Sequence, residues 1–182
     1  MAASRRSPMP PLVACLFVAA FSAVSAPAHA QSGGPDLLKA LSGIWQGRGT
    51  MRQSPAAAAE PVSCRYEGRL SDDALALALS YVCLGVAFKF DASGTLTFEP
   101  ASERFNVTLT TAAANRRAEG SGTSNGAGID FDLTGRHPKT GAEVTSQFSI
   151  SLASADKLVN VLRSTDPETG KSFRVLQVTF SR

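Results

Sequence analysis

The protein has 182 residues, a length typical of one domain, and contains 18 Lys and Arg residues against 15 Asp and Glu. Arg5 and Arg6 are the only charged residues among the first thirty, so the remainder carries 16 basic and 15 acidic side chains. This near balance excludes a strong electrostatic attraction to nucleic acid or to an anionic membrane as the basis of function.

The first thirty residues have the pattern of a secretory signal peptide. The two arginines precede an apolar core, residues 12–24, and a small-residue cleavage sequence that ends at Ala30. This core is too short to span a bilayer stably. We therefore expect export and cleavage, leaving residues 31–182 as a single soluble domain in the periplasm or outside the cell. Two alternatives stay open, twin-arginine export through residues 4–6 and lipidation of Cys15.

The first element predicted after the leader is a short helix. Pro35 suits its first turn, and Leu37, Leu38 and Leu41 form an apolar stripe. Gly43 lies where a residue with a left-handed backbone would end the helix. Because about eight helical residues are not stable alone, we expect this helix to pack against the rest of the domain.

Beyond this helix, apolar and polar residues alternate with a period of two, as in strands with one buried face. The alternating runs are residues 64–70, 75–83, 88–90, 95–99, 105–110, 129–134, 144–152 and 173–180. In the last run the parity changes between Val175 and Leu176, which indicates a bulge or burial on both faces.

Turn residues separate these runs. We expect turns at 91–94, 136–141 and 165–170, and longer loops at 54–61 and 112–128. The second loop includes Arg116 and Arg117, which we interpret as solvated side chains.

The pattern predicts an all-β fold: an antiparallel up-and-down β-barrel of eight to ten strands with a short N-terminal helix. Strands with one apolar face must enclose a common core, and a barrel does so without exposed edges. A two-sheet sandwich is the main alternative. An outer-membrane barrel is disfavoured because no aromatic girdles flank the strands, so we expect no stable membrane insertion.

Cys64 and Cys83 are the two cysteines outside the leader, and an even pair in an oxidising compartment predicts a disulfide. Each shares the apolar parity of its strand. If the two cysteines face each other, Tyr66 faces Tyr81 and Leu70 faces Leu77. No Cys-x-x-Cys spacing supports a redox-active pair.

The sequence Gly43-Ile44-Trp45, at the head of the first strand and directly after a helix, resembles the Gly-x-Trp signature of lipocalins and related calycin barrels. The resemblance implies that Trp45 covers the closed end of the barrel. It also implies that an arginine near the end of the last strand, Arg182 or Arg174, packs across the indole as a cation–π contact.

The chain is also similar to an uncharacterised family of small exported bacterial proteins. The shared pattern is residues 45–50, then Cys64-Arg65, then Cys83 after an apolar strand. This similarity implies no function.

No catalytic constellation is visible, and we expect a protein that is not an enzyme and has neither a cofactor nor a metal site. His137, the only histidine beyond the leader, is expected in a hairpin loop. It has no second histidine with which to bind zinc and no candidate nucleophile for which it could act as a base. This loop position is also outside the barrel, where it could not ligate a haem bound in the interior. Asp130 and Asp132 share one face of a strand, and their parity places them on the polar exterior.

Two functional hypotheses remain. The first is a barrel that binds a small hydrophobic molecule or lipid. Its candidate lining residues are the aromatic side chains at inward parity: Tyr66, Tyr81, Phe88, Phe90, Phe105 and Phe148. The other interpretation of these side chains is that they fill a solid core without a cavity. The alternative is a protein-binding module, such as an exported inhibitor of proteases or lysozymes, that uses the loops at 54–61 and 112–128.

Overall fold

The computed structural model describes residues 33–111, 116–137, 140–166 and 168–182, so the predicted signal segment lies outside the described residues. Helix α1 (Gly34–Leu41) precedes the strands of one sheet. These strands are β1 (Gly43–Met51), β2 (Glu60–Leu70), β3 (Ala76–Leu84), β4 (Lys89–Glu99), β5 (Arg104–Thr111), β6 (Arg116–Ser124), β7 (Gly128–Arg136), β8 (Glu143–Ser154), β9 (Lys157–Thr165) and β10 (Ser172–Ser181).

The sheet closes on itself. Each strand pairs antiparallel with its neighbours in the chain, and β1 pairs with β10, from Gln46 opposite Ser181 to Met51 opposite Leu176. The predicted antiparallel up-and-down barrel with a short N-terminal helix is therefore confirmed, and the sandwich alternative is wrong.

The period-two alternation places apolar side chains inside the barrel. Along β2, Val62, Cys64 and Tyr66 are buried, whereas the intervening Ser63 and Arg65 are exposed. An outer-membrane barrel has the opposite arrangement, with its apolar residues facing lipid.

The predicted pairing of β2 with β3 is confirmed residue by residue. Cys64 faces Cys83 and the two are joined by a disulfide, while Tyr66 faces Tyr81 on the same side of the sheet. The connection between the strands runs through residues 71–75, with the Ser71 amide donating to the Ala76 carbonyl at 2.8 Å.

The predicted turn at 91–94 is wrong, because these residues lie within β4. Asp91 and Ser93 lie at outward positions, while Ala92 and Gly94 are small residues on the inward side. A Cβ atom on Gly94 would stand 1.9 Å from the Thr108 carbonyl oxygen of β5. Gly94 is thus a point of close strand approach of the kind that curves barrel walls, and not a turn residue.

The predicted loop at 112–128 is also wrong for most of its length. Strand β6 occupies Arg116–Ser124, and a tight turn at 125–127 leads into β7. Its inward positions include Gly120 and Gly122, which have no side chains to produce an apolar alternation. Arg116 and Arg117 are exposed but belong to this strand, while residues 112–115 lie outside the described part of the chain.

Two smaller differences concern element boundaries, and one detail of the last strand agrees with the prediction. Phe88 lies in the hairpin before β4, where its carbonyl accepts from the Gly85 amide at 2.9 Å. Strand β9 has no individual counterpart among the predicted runs. In β10 the register shifts between Arg174 and Leu176, which confirms the predicted bulge at Val175.

Candidate functional site

The interior of the barrel has two different ends, and α1 covers one of them. The indole Nε1 of Trp45 donates to the Leu41 carbonyl at 3.3 Å, and the Tyr66 hydroxyl donates to the same oxygen at 3.0 Å. Both side chains are fully buried. The Leu41 carbonyl lies at the end of α1 and has no partner within the helix, so these two side chains from inside the barrel supply its hydrogen bonds.

Arg182 completes this closed end from outside. Its guanidinium carbon lies 4.3 Å from the centroid of the Trp45 ring. Its nitrogens donate to the carbonyls of Ser42, at 3.2 Å, and Ala155, at 2.7 Å. Of the two arginines named from the resemblance, it is Arg182 that stacks on the indole, and Arg174 lies elsewhere, where its Nη1 donates to Gln177.

Burial is complete directly beneath α1 and is less complete for several side chains towards the other end of the barrel, which we call the mouth. Tyr66, Trp45 and Leu158 have no exposed surface. Near the middle of the barrel, Tyr81 keeps 6% of its surface exposed, and towards the mouth Leu176 keeps 8%. The packing is thus tight beneath α1 and looser towards the mouth.

A polar pair lies within this apolar interior. The Asn160 amide nitrogen, on β9, donates to the Tyr81 hydroxyl, on β3, at 3.0 Å. These strands are not neighbours in the sheet, so the bond crosses the interior. Asn160 is fully buried, and its strand partners Ile150 and Val178 are apolar.

The pair has hydrogen-bonding capacity left over. The Asn160 side-chain oxygen Oδ1 is buried and has no hydrogen-bond partner among the described residues. Because Tyr81 accepts from Asn160, the phenol hydrogen remains for an acceptor. An unpaired buried polar atom costs about 1–3 kcal/mol, so a hydrogen-bond donor placed beside Asn160 Oδ1, from a water molecule or a ligand, would be stabilising.

The environment keeps both tyrosines neutral. Burial raises the pKa of Tyr66 well above its ordinary value, and the neighbouring Tyr81 raises it further. Burial also raises the pKa of Tyr81, against a smaller opposite effect from the hydrogen bond with Asn160. At neutral pH each hydroxyl is therefore a hydrogen-bond donor and not a base.

The mouth combines apolar and polar inward positions. Five apolar side chains there are only partly buried: Met51, Phe88, Phe90, Leu109 and Leu162. Among the polar positions, the Ser146 hydroxyl donates to the Ser164 hydroxyl at 3.2 Å. At the start of β2, Glu60 has a buried carboxylate oxygen without a hydrogen-bond partner among the described residues.

The predicted lining residues belong to the core or pack against it, but they lie at different depths along the barrel. Tyr66 and Tyr81 are stacked, with ring centroids 4.7 Å apart. Phe105 is packed near the closed end, 4.9 Å from Phe98, and Phe148 stacks on Phe131 of the neighbouring strand at 6.1 Å. The remaining two, Phe88 and Phe90, are at the mouth. Tyr81 and Phe148 therefore lie at the level where burial is incomplete, whereas Tyr66 and Phe105 belong to the packed end.

Asn160 was missed from the sequence, although a signal for it exists. It occupies the inward parity of its strand, between Leu158 and Leu162. A polar residue in place of an apolar one on a buried face is more informative than the apolar residues around it.

The titratable groups considered from the sequence lie away from this interior. His137 is in the hairpin after β7, with its Nδ1 3.1 Å from the Thr140 hydroxyl. Asp130 and Asp132 are exposed on the outer face. Across the described ranges, no three His, Cys, Asp or Glu side chains are grouped as metal ligands, and no helix has the length and apolar character needed to cross a membrane.

Together these features define a calycin-like barrel: a closed antiparallel sheet with a helix, a tryptophan and an arginine at one end. No family model matches the sequence, and no curated protein is similar to it at the sequence level.

Solved structures share the fold. Rv2717c from M. tuberculosis is 16% identical, with a TM-score of 0.63 over 82% of this chain and 96% of that one. The S-type phycobiliprotein lyase CPES from Guillardia theta is 12% identical, with a TM-score of 0.55 over 81% of this chain and 90% of that one. At these identities the likeness shows the fold alone.

Proposed function

We propose that this protein is an exported barrel that binds a small, mainly apolar molecule through its mouth. The observation that carries the proposal is the polar pair of Tyr81 and Asn160, buried among apolar side chains with one acceptor unused. Ligand pockets typically have this composition, a mainly apolar lining with a few placed polar groups that fix orientation.

The chemistry of the pair describes the ligand. Asn160 Oδ1 accepts a hydrogen bond, and the Tyr81 hydroxyl donates one. A ligand group that both donates and accepts, such as a hydroxyl or a secondary amide, satisfies both. The partly buried apolar side chains at the mouth then contact the remainder of the molecule.

The comparisons support only the framework for this proposal. One structure that shares the fold is named as a phycobiliprotein lyase, and the activity in that name belongs to that protein. Export rests on the leader sequence, and the disulfide between Cys64 and Cys83 is consistent with an oxidising compartment. The protein-binding alternative is weakened, because most of its second contact loop is strand β6.

A pair of matched probes tests the proposal. N-phenyl-1-naphthylamine is a neutral, apolar fluorophore with a single N–H donor, and 1-phenylnaphthalene lacks that donor. We expect saturable binding of the first probe at one site per barrel. Asn160→Leu removes the acceptor with little change in volume, and a lost hydrogen bond predicts about five- to tenfold weaker binding of the amine.

The controls separate the polar contact from general effects. Binding of 1-phenylnaphthalene should be unchanged or stronger in Asn160→Leu, because its site becomes more apolar. Asn106→Ala, an exposed asparagine on the outer face of β5, should bind both probes as the parent protein does. Absence of saturable binding for both probes would overturn the proposal, as would equal weakening of the two probes by Asn160→Leu.

A further inference from the structure

Three arginines line a cleft on the outer wall of the barrel, near the mouth. Arg52 follows β1, Arg163 belongs to β9 and Arg174 to β10. The cleft has a volume of about 190 Å³, and its other lining residues are Thr50, Met51, Ala59 and Val175. This volume is below the range of about 300–1,000 Å³ typical of pockets for drug-sized ligands, so the cleft suits a single small group.

The bulge in β10 brings the three side chains together. Arg174 is the direct strand partner of Arg163, and the register shifts immediately after this pair. The extra residue, Val175, accepts a hydrogen bond at its carbonyl from the Arg52 amide at 2.7 Å. The end of β1 is thereby held against the arginine pair.

This arrangement is electrostatically unfavourable when the cleft is considered alone. Like charges directly opposite each other on paired strands are destabilising. The ion pairs among the described residues involve Arg65, Arg69, Lys89 and Arg117, and none of the three cleft arginines.

Two further observations describe the hydrogen-bonding and charge-pairing capacity that remains on these arginines. Arg52 Nε is buried without a hydrogen-bond partner among the described residues. Arg174 Nη1 donates to Gln177 Oε1, a neutral group that does not offset its charge. Arg163 also borders a neighbouring cleft with Asp130 and Asp132, without an ion pair to either.

We infer that this cleft binds a phosphate group. A phosphate ester carries a charge of about −1.5 to −2 and three acceptor oxygens, which matches three guanidinium groups supplied by three segments of the chain. Guanidinium–phosphate hydrogen bonds are charge-assisted and often bidentate. Arg163 and Arg174 lie at outward positions of the wall, whereas the polar pair of the proposed ligand site lies inside it. Met51 lies at the mouth and also borders the cleft.

The direct test is titration of the whole protein with inorganic phosphate at constant ionic strength, followed by NMR of the arginine Nε–Hε groups. We expect saturable shifts of three arginine signals. Arg163→Gln and Arg174→Gln should each weaken binding about tenfold or more, the usual effect of losing a charged hydrogen bond. Arg104→Gln is the matched control, since Arg104 is exposed at the other end of the barrel and donates to Ser121. It should leave the affinity unchanged.

Thermal unfolding gives a second readout that does not depend on the NMR assignment. Without phosphate, Arg174→Gln should unfold at the parental temperature or above, because one of two opposed positive charges is gone. Millimolar phosphate should raise the unfolding temperature of the parent and of Arg104→Gln clearly more than that of Arg174→Gln. An equal response in all three proteins, or phosphate shifts that do not saturate, would overturn the inference.

The source of the phosphate is distinguished by three probes: inorganic phosphate, phenyl phosphate, and phosphatidylcholine vesicles with and without phosphatidic acid. If inorganic phosphate binds most tightly, the source is a free ion. If phenyl phosphate binds most tightly, it is a soluble phosphoester. If the vesicles with phosphatidic acid bind most tightly, it is a lipid headgroup. Each of these results supports the inference only if Arg174→Gln weakens binding of the preferred probe and Arg104→Gln does not.

Discussion

Replacing Trp45 with alanine should remove the centre of the closed end. The indole is fully buried, donates to the Leu41 carbonyl and lies beneath the Arg182 guanidinium. The substitution leaves Leu41 with its second donor, the Tyr66 hydroxyl, so the carbonyl does not become unsatisfied. The expected loss therefore comes from apolar burial and the cation–π contact.

The magnitude follows from the area that is lost. A buried aromatic side chain removes about 150–250 Å² from water. At about 25 cal/mol per Å² this amounts to about 4–6 kcal/mol. Some collapse of α1 into the space reduces the cost, and large-to-small aromatic replacements in cores typically cost about 3–5 kcal/mol. We expect a loss near 4 kcal/mol in the free energy of unfolding.

Urea unfolding followed by far-ultraviolet circular dichroism measures this loss, since Trp45 is the only tryptophan and the tryptophan fluorescence signal would be lost with it. Trp45→Phe keeps an aromatic ring and should lose roughly 1–2 kcal/mol, mainly volume and the indole hydrogen bond. An alanine variant within about 0.5 kcal/mol of the parent would show that the closed end does not depend on this side chain, and the calycin interpretation of it would be wrong.

Three further outcomes are expected. Thiol titration of the denatured, unreduced protein, without the leader, should give zero free thiols, and reduction should lower stability by roughly 3 kcal/mol, whereas two reactive thiols would refute the disulfide. Gly94→Ala should destabilise by about 1–3 kcal/mol in urea unfolding because its Cβ meets the Thr108 carbonyl, while Gly33→Ala, with its nearest contact at 4.0 Å, should cost less, since it loses only the preference for glycine over alanine at the N-cap of α1. Tyr66 and Tyr81 are the only tyrosines, and both have raised pKa values in the folded protein. The free energy of unfolding should therefore be independent of tyrosine ionisation below pH about 10 and should fall above it, because only the unfolded state ionises there. Tyrosinate absorbance that appears before the circular dichroism changes would contradict this.

The strands that could be predicted are those whose inward positions carry apolar side chains. In β2 and β3 the parity predicted the register as well as the strands, because Cys64, Tyr66 and their partners are large or covalently joined. Strand β6 was missed because the barrel wall there needs close backbone approach, and glycine at 120 and 122 leaves no alternation to detect. The same physical cause made Gly94 resemble a turn.

The candidate sites were less predictable than the fold, since they depend on contacts between distant segments. The bond between Tyr81 and Asn160 joins residues 79 positions apart, and nothing local to either residue indicates it. The sequence does show that Asn160 has inward parity, but it does not show that Tyr81 is its hydrogen-bond partner. Likewise, the arginine cleft exists because one extra residue in β10 brings Arg52 to a pair on other strands.

The proposed function assigns stability to one end of the barrel and binding to the other. Beneath α1, Trp45 and Tyr66 share one carbonyl acceptor and leave no exposed surface, so this end contributes rigidity. Tyr81 stacks on Tyr66 with one face and offers its hydroxyl to Asn160, and thus stands at the boundary between the packed end and the looser one. A polar group fixed in this way is already oriented before a ligand arrives, and binding then costs little ordering of the protein. In the binding mode proposed above, the packed end therefore contributes without touching the ligand, because it holds Tyr81 in place.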